Sequence, residues 1–363
     1  MFFVLITMPL IEFTNRGLFC PQGNFYIDPW KPVDFAVISH GHSDHAKWGS
    51  KNYLCHHYTK PILQLRLGEN NYHSVGWNEP VMRNGVSISL FPAGHIIGSA
   101  QVRVEYKGEV WVFTGDYKIE NDGISTVYEP VKCHTFITES TFGLPIYKWK
   151  PQEEIFNEMK SWINVNKTNG KASVFIAYSL GKAQRILKPL AETGISIYAH
   201  GAVYNMHTTL QAAGWALPNV KRITPETTKE ELKECIVIAP SSAEGSPWLK
   251  RFSPYATGIC SGWMQVRGNV RRKNADAGFS LSDHCDWDGL ISAVKATGAE
   301  RVYATHGFQA TFSRYLNEQG IEAGEVKTEY GNDEEETASP NPSGEEASLN
   351  PSEGGGASNS DIL

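Results

Sequence analysis

The sequence predicts an α/β protein with a substantial share of antiparallel sheet, and three observations support this class. Several short apolar runs end in polar residues, as buried strands do when they present functional groups at their carboxyl ends; these are FAVISH, VWVFTGD, TFITES, SVFIAYS, IVIAPSS and RVYATHG. Helical patterns lie between some of them, at Gln152–Asn166, Lys182–Glu192 and Asp286–Thr297. Residues 80–112 alternate between apolar and polar with glycine turns, which is typical of an antiparallel meander.

The length and composition favour a globular protein without a membrane span. The chain has 363 residues, 41% of them hydrophobic, which is enough for about two domains with buried cores. The N-terminal run MFFVLITMPLIEF is interrupted by Glu12 before the ~18 residues that a span needs, and it lacks the features of a signal peptide. We expect it to be a strand. The widely spaced cysteines form no CxxC and indicate reduced thiols in the cytoplasm: Cys20, Cys55, Cys133, Cys235, Cys260 and Cys285.

Charge is divided unevenly along the chain. The 33 Lys and Arg and 39 Asp and Glu give a formal charge of −6, which by itself argues against a nucleic-acid partner. Residues 329–363, however, hold nine of the acidic residues and no Lys or Arg. Residues 1–328 therefore carry 33 basic and 30 acidic groups, a net +3 that permits polyanion binding. Because residues 329–363 are rich in Glu, Ser, Pro, Gly and Asn, we expect a disordered acidic tail.

The segment FAVISHGHSDHA, residues 35–46, contains the most informative pattern, HxHxDH. Residues i and i+2 at the end of an extended strand point to the same side, so His40 and His42 can bind one metal ion. The following turn can direct Asp44 and His45 to a neighbouring point. A His-rich surface loop is the alternative, but three imidazoles and a carboxylate after a buried strand would be costly to accommodate without a metal. The pattern therefore predicts a dinuclear site.

Two metal ions need more ligands than this segment supplies, and three candidates lie downstream. His95 lies in FPAGHIIGSA, Asp116 in VFTGDYK and His306 in VYATHG. Each follows an apolar strand or lies in a turn bounded by glycine, where a side chain can face a cleft. A single His or Asp after a strand is more often a cap or a hydrogen-bonding residue. Following HxHxDH, the three residues together are better explained as metal ligands.

The motifs HxHxDH, PAGHIIGSA and FTGDYK resemble those of the metallo-β-lactamase fold, a four-layer αββα sandwich. TFITESTFG, GFSLSDHCDWDGL and RVYATHG, in that order, resemble the β-CASP nucleases, in which a cap domain is inserted into that fold. The strings FCPQGNFYIDPW, YSLGKAQRIL and SGWMQVRG are similar, more narrowly, to bacterial DNA-ligase-associated exonucleases. The resemblance implies a metallo-β-lactamase domain in two parts, 8–144 and 278–328, around an α/β β-CASP-like cap, 145–277, with the tail at 329–363.

The resemblance also implies a role for each candidate ligand. It assigns two groups of Zn²⁺ ligands and a bridging carboxylate: His40, His42 and His95 for the first ion, Asp44, His45 and His306 for the second, and Asp116 between them. Mn²⁺ is an alternative metal. Asp28, at the end of NFYID, would orient the HxHxDH loop, although Asp often caps a turn or a strand end in such a position.

The expected mechanism follows from the metals. Two Zn²⁺ ions about 3.5–4 Å apart can share a water, lower its pKa towards ~7 and hold the resulting hydroxide in line with a phosphorus atom. The leaving oxygen needs a proton, and His284 is the candidate general acid, held by Glu139. Together with the ligand Asp44, these two residues form the predicted catalytic group.

The predicted cap offers residues suited to a phosphate backbone. Lys182 follows Gly181 at a helix start, where free N–H groups and the helix dipole attract anions. Ser241 and Ser242 in APSSAEGSPW are candidate hydrogen-bond donors to phosphate, although Ser/Gly/Pro loops are mostly only connections. VRGNVRRKN places a basic cluster beside Trp263, and such a cluster is otherwise a solvated face; it consists of Arg267, Arg271, Arg272 and Lys273.

The leading hypothesis is a zinc-dependent DNA exonuclease linked to DNA repair, with DNA ligase and a helicase of the same pathway as partners. His306 favours the runner-up, an RNA-processing β-CASP nuclease similar to those of mRNA 3′-end processing, because the relatives that prefer DNA typically have an apolar residue there. A small-molecule metallo-hydrolase shares HxHxDH but needs neither the insertion nor the pair of Glu139 and His284. A catalytically inactive binding scaffold is the remaining alternative, which the complete ligand set disfavours.

Overall fold

Three β-sheets organise the chain in the computed structural model, which describes residues 9–266, 269 and 274–329. The first sheet contains six strands in chain order: β1 (Glu12–Thr14), β2 (Gly17–Cys20), β3 (Phe25–Ile27), β4 (Ala36–Val37), β5 (Tyr53–His56) and β6 (Tyr72–Val75). Strands β1 to β3 are antiparallel, and β3 to β6 are parallel. Helix α1 (Thr59–Leu67) connects β5 to β6. Of the N-terminal run expected to be a strand, Glu12 and Phe13 lie in β1, residues 9–11 are irregular, and residues 1–8 lie outside the described residues.

The second sheet combines the predicted meander with three strands from later in the chain. Four consecutive strands of this sheet pair antiparallel with one another: β7 (Val81–Arg83), β8 (Val86–Pro92), β9 (Ala100–Tyr106) and β10 (Glu109–Phe113). Strand β10 also pairs in parallel with β11 (Thr135–Ser140). Parallel pairing then extends to β17 (Arg301–Gly307) and β18 (Glu322–Glu325). The expected meander over 80–112 is therefore confirmed, and the strand TFITES pairs with the much later strand RVYATHG.

The third sheet is entirely parallel, and its strands lie between residues 172 and 279. In spatial order they are β13 (Ile197–Ala199), β14 (Ile236–Ala239), β12 (Ala172–Ile176), β15 (Tyr255–Cys260) and β16 (Ala277–Phe279). The helices of this region are α2 (Gln152–Thr168), α3 (Lys182–Ala191), α4 (Gly201–Ala212) and the short α5 (Pro247–Lys250). Strands buried on both faces read as continuous apolar runs, which is the pattern of SVFI and IVIA.

Capping residues mark both ends of one helix on the second sheet's outer face. Helix α6 (Trp287–Thr297) begins after Asp286, whose carboxylate accepts a hydrogen bond of 2.9 Å from the Gly289 N–H, and it ends at Gly298 in the left-handed conformation. Helix α7 (Gln309–Glu318) lies between β17 and β18. The predicted helices Gln152–Asn166, Lys182–Glu192 and Asp286–Thr297 agree with α2, α3 and α6 to within two residues at each end.

Apolar side chains join the elements into layers. One core lies between the first and second sheets and includes Leu18 and Phe25 from the first and Val102 and Phe113 from the second. The other face of the second sheet packs on α6 and α7, and the other face of the first sheet packs on α1. Two further cores cover the two faces of the third sheet. The loops at the carboxyl ends of the strands are thereby held at fixed positions.

All six cysteines are buried and free of disulfides, as expected. None of the helices in the described part of the chain combines the length and the apolar character needed to cross a bilayer. Of the predicted tail at 329–363, only Glu329 belongs to the described residues.

Candidate metal centre

Loops and strand ends of the first two sheets bring the candidate ligands together. The loop after β4 carries the HxHxDH residues, and the turn after β8 carries His95. Asp116 follows β10, and His306 lies in β17. Because parallel strands present their carboxyl ends at one edge of a sheet, residues almost 270 positions apart in the chain become neighbours there.

The carboxylate of Asp116 is the centre of the cluster. It is buried, and four imidazoles approach its two oxygens. The Nε2 atoms of His306 and His45 lie 3.1 and 3.4 Å from Oδ1, and those of His40 and His95 lie 3.4 and 3.8 Å from Oδ2. Each oxygen thus faces a different pair of imidazoles, which is the arrangement expected of a carboxylate that bridges two cations.

Hydrogen bonds on the far side of the rings fix their orientation. The Nδ1 of His45 lies 2.7 Å from Asp28 Oδ2, and the Nδ1 of His40 lies 3.0 Å from the Ser39 hydroxyl. Ser39 in turn donates to Asp28 from both its N–H, at 2.7 Å, and its hydroxyl. The Nδ1 of His306 lies 3.2 Å from the Thr305 hydroxyl. With Nδ1 engaged in this way, the Nε2 of each ring faces Asp116.

His42 and His95 are held by carbonyl groups from distant parts of the chain. The Nε2–H of His42 donates to the Leu180 carbonyl at 3.2 Å, and the Nδ1–H of His95 donates to the Asp283 carbonyl at 2.9 Å. The remaining nitrogens, His42 Nδ1 and His95 Nε2, face each other at 3.1 Å. In neutral rings both of these atoms carry lone pairs, which repel each other. A cation bound between them would turn this repulsion into coordination.

Burial and neighbouring charges shift the pKa values in the cluster in opposite directions. Burial, together with the neighbouring His40, lowers the pKa of His42 to about 4, and burial beside His284 holds the pKa of His95 well below its usual value. For His45, the carboxylates of Asp116 and Asp44 outweigh burial and raise the pKa well above its usual value. The uncharged state of His42 and His95 is the state that binds metal.

The residues fit a metal centre. In the described structure, His40 Nε2 and Asp116 Oδ1 are buried atoms without a hydrogen-bond partner, and both lie inside the cluster. Three groups that include Asp116 have donor atoms within 4.8 Å of one another: His40, His42, His95 and Asp116; His45, Asp116 and His306; and Asp116, Glu139 and His284. Imidazole nitrogens with carboxylate oxygens are the donors that Zn²⁺ prefers in hydrolytic sites.

Asp44 and Asp28 occupy different positions around the cluster. The Oδ2 of Asp44 lies 3.6 Å from His45 Nε2, and its side chain is about a quarter exposed. Asp28 is completely buried and has a backbone φ of 42°, a left-handed conformation that Asp adopts more readily than most residues. Its carboxylate contacts the Ser39 N–H and the His45 Nδ1, both in the segment that carries the HxHxDH motif.

Glu139 and His284 form a pair beside the cluster. The Nδ1 of His284 lies 2.8 Å from Glu139 Oε2, and the carboxylate also accepts hydrogen bonds from the Tyr117 N–H and the Thr141 hydroxyl. The ring centroids of His284 and His95 are 4.6 Å apart. Glu139 is completely buried, so its position is set by these donors. The pair therefore presents an oriented imidazole at the edge of the metal centre.

The residues predicted to contact nucleic acid differ in position and exposure. Lys182 is only 3% exposed, and its Nζ lies 3.5 Å from the Asp283 carboxylate, so it does not face solvent. Ser241 and Ser242 are exposed at the start of a short 3-10 helix after β14. The basic cluster of Arg267, Arg271, Arg272 and Lys273 lies outside the described residues.

Several groups that shape the centre were not found from the sequence. Ser39 adjoins the HxHxDH motif, and this adjacency is a signal that could have identified it. Arg185 and Asp283 form a buried ion pair, with Nη1 and Oδ1 3.1 Å apart, and they lie in strings singled out for other reasons. The carbonyls of Leu180 and Asp283 had no signal, since every residue has a carbonyl.

Comparison with characterised sequences finds relatives with nuclease and ligase names. The chain is 30% identical over 314 residues to a "Probable DNA ligase" of Opitutus terrae, an alignment that covers 85% of this chain and 30% of that protein. It is 24% identical to an "RNase J-like protein" of Methanocaldococcus jannaschii, covering 76% of this chain and 82% of the relative. Cleavage and polyadenylation specificity factor subunit 3 of Dictyostelium discoideum is 27% identical over 45% of this chain and 26% of its own length.

The chain thus spans less than a third of the length of two of these three relatives. No family model matches the sequence. Among solved structures, a protein of unknown function from Enterococcus faecalis aligns with a TM-score of 0.55 at 11% identity, covering 82% of this chain and 80% of that one. That similarity concerns the fold alone.

Proposed function

Since this chain belongs to the metallo-β-lactamase-fold β-CASP family of nucleases, we propose that it is a two-metal phosphodiesterase that removes nucleotides from DNA ends. The observation that carries the proposal is the carboxylate of Asp116, whose two oxygens face two different pairs of imidazoles. Beside it lies an imidazole held by a buried carboxylate. A pair of cations next to an oriented proton donor suits the hydrolysis of a phosphodiester.

In this proposal the first two sheets with α1, α6 and α7 form the four-layer αββα sandwich, and the third sheet with its helices forms the β-CASP cap. The shared core of the two sheets and the helices on their outer faces support the first assignment. The parallel sheet inserted between β11 and β17 supports the second. Because β16 pairs with β15, the cap would extend to Phe279, two residues beyond the boundary expected from the sequence.

The proposed ligand sets follow the geometry around Asp116. His40, His42 and His95 would hold one Zn²⁺, Asp44, His45 and His306 the other, and Asp116 both. When bound, such a pair supplies Lewis acidity to the phosphate oxygens and a water that ionises near neutral pH. Mn²⁺ accepts the same donors, although the five imidazoles favour zinc.

The chain's own residues would complete the reaction. Asp28 and Ser39 hold the rings of His45 and His40 so that their Nε2 atoms stay directed at the centre. His284 would donate a proton from its other nitrogen to the leaving oxygen, because Glu139 binds its Nδ1–H and stabilises the protonated ring. Ser241 and Ser242, which are exposed on the cap, are proposed to donate hydrogen bonds to the phosphate backbone.

DNA is the proposed substrate because the alignment that covers most of this chain is with part of a protein named a probable DNA ligase. A ligase polypeptide that includes a similar region suggests that this chain acts on the ends that ligases join, so a ligase is the proposed partner. RNA is the second candidate, favoured by relatives named endoribonucleases and by His306, which the structure places 3.1 Å from Asp116.

The test is a comparison of two labelled polymers. The purified full chain is incubated with 5′- and 3′-end-labelled single-stranded DNA and RNA of matched sequence, with Zn²⁺ or Mn²⁺. We expect mononucleotides from DNA, formed progressively from one end. Cleavage of RNA that is faster than cleavage of DNA would refute DNA as the substrate and favour RNA, the second candidate. Two bound Zn²⁺ ions without cleavage of either polymer would refute nuclease activity, and hydrolysis of a lactone under the same conditions would favour a small-molecule hydrolase.

A further inference from the structure

A buried charged network connects the third-sheet region to the metal centre. The Asp283 carboxylate, which is 3% exposed, lies between two cations of helix α3. Arg185 Nη1 lies 3.1 Å from Asp283 Oδ1, and Lys182 Nζ lies 3.5 Å from Oδ2. Arg185 is itself only 5% exposed, so this ion pair is shielded from solvent and its geometry is closely determined.

Arg185 makes further bonds to the same loop and to a second helix. Its Nη1 donates to the Ser282 carbonyl at 2.5 Å, and its Nε and Nη2 donate to Gln152 Oε1 at 3.2 and 3.0 Å. Gln152 is the first residue of α2. One guanidinium therefore fastens the loop at residues 282–283 to two helices, and its planar fork is suited to such fixed, multiple contacts.

The loop that Arg185 holds carries the groups that orient two functional imidazoles. The Asp283 carbonyl accepts the Nδ1–H of His95 at 2.9 Å. The next residue is His284, whose N–H donates to the Ser282 hydroxyl at 3.1 Å. A shift of residues 282–284 would thus move a candidate metal ligand and the candidate proton donor together.

We propose that Arg185 is a positioning residue, which fixes the 282–284 loop and through it the orientation of His95 and His284. The inference rests on the proposed function and adds to it that helix α3 controls the geometry of the centre. Arg185 also borders a cavity of about 350 Å³ that is lined by Gln152 and Ser282. Removing the guanidinium would leave space into which the loop can shift, so the effect should appear as misalignment of the catalytic groups.

The test compares three variants. Arg185→Ala removes all contacts to the loop. Arg185→Lys keeps a charge near Asp283 but cannot reach Ser282 and Gln152 at once. Lys188→Ala, on the exposed side of the same helix one turn later, is the matched control. Activity on end-labelled single-stranded DNA is resolved into kcat and KM, and Co²⁺ binding to each metal-free variant is followed by its visible absorption.

We expect Arg185→Ala to bind two Co²⁺ ions with an altered absorption spectrum and to lose about 10- to 100-fold in kcat, with KM within about twofold of wild type. Arg185→Lys should recover part of kcat, and Lys188→Ala should match wild type. A kcat and a Co²⁺ spectrum for Arg185→Ala equal to those of the control would overturn the inference. If that variant does not fold, wild-type values for Arg185→Lys would do so.

The two proposals fail in different ways. Wild-type chain without nuclease activity refutes the proposed function, while the Co²⁺ spectra of the variants still decide whether Arg185 orients His95. Wild-type chain with full activity and variants without any defect refute only the role of Arg185.

Discussion

The replacement Glu139→Gln tests the pair that we assign to proton donation. The carboxylate accepts the Nδ1–H of His284 at 2.8 Å, the Tyr117 N–H at 2.7 Å and the Thr141 hydroxyl at 2.5 Å. Glutamine keeps the shape and one acceptor oxygen but has no charge, and its NH₂ group cannot accept from either His284 or Thr141. The variant therefore loses the group that stabilises a protonated His284 ring, while all candidate metal ligands remain.

The magnitude follows from the bond that is lost. A hydrogen bond to a charged group contributes roughly 1.5–3 kcal/mol, and each ~1.4 kcal/mol corresponds to a tenfold change in rate. We therefore expect Glu139→Gln to lower kcat on single-stranded DNA about 10- to 150-fold. The complete removal of the donor in His284→Ala should cost more, about 10²- to 10⁴-fold.

The assay measures kcat against pH on end-labelled DNA, together with the zinc content of each variant. The decline of kcat on the alkaline side should begin at lower pH in Glu139→Gln, because the carboxylate no longer favours the protonated ring. Both variants should retain two zinc ions per chain. An unchanged kcat in either variant, or loss of one zinc ion with His284→Ala, would refute the reasoning, the latter by showing that His284 is a ligand.

Three further predictions concern the metal centre. Asp28→Asn should weaken Zn²⁺ binding about 10- to 100-fold in competition with a chelator, because the carboxylate that orients His45 is lost; equal affinities would show that Asp28 only shapes the loop. Asp116 raises the pKa values of His45 and His306 despite their burial, so protons compete with the metal for these rings. The affinity for Zn²⁺ should therefore rise with pH. Calorimetry of Zn²⁺ binding at pH 7, in buffers of different ionisation enthalpy, should detect the release of protons. Gly115→Ala should lower the free energy of unfolding by about 1–3 kcal/mol in urea titrations, because Gly115 has a φ of 55° and an added Cβ would lie 2.6 Å from the Ser39 hydroxyl.

Reasoning from the sequence reaches furthest where chemistry depends on residue type and on short spacing. The HxHxDH motif, His95, Asp116 and His306 could be selected as candidate metal ligands from the sequence. Imidazoles and carboxylates that follow buried strands cost free energy unless they are paired or bind a metal ion. The ends of helix α6 could be predicted because Asp286 and Gly298 are capping residues, which act over three or four positions. These signals depend on residues that are close together in the sequence, so they can be recognised in one sequence alone.

Lys182 shows where local signals are not sufficient. Its place after Gly181 at a helix start is the pattern of an anion site, yet the structure places its ammonium group beside the buried Asp283 carboxylate. Nothing near Lys182 in the sequence indicates this partner, which lies about 100 residues away. Only the packing of α3 on the loop at 282–284 selects the carboxylate over a phosphate.

The sequence by itself supplied the candidate metal ligands, the apolar runs that form strands, the helices α2, α3 and α6, and the resemblance to a nuclease family, because side-chain chemistry and hydrophobic period are properties of short segments. The tertiary structure alone decided which nitrogen of each imidazole faces Asp116 and which groups hold the rings in place. The holding groups include the carbonyls of Leu180 and Asp283, and a carbonyl is common to every residue. Its role is therefore set by where the folded backbone places it.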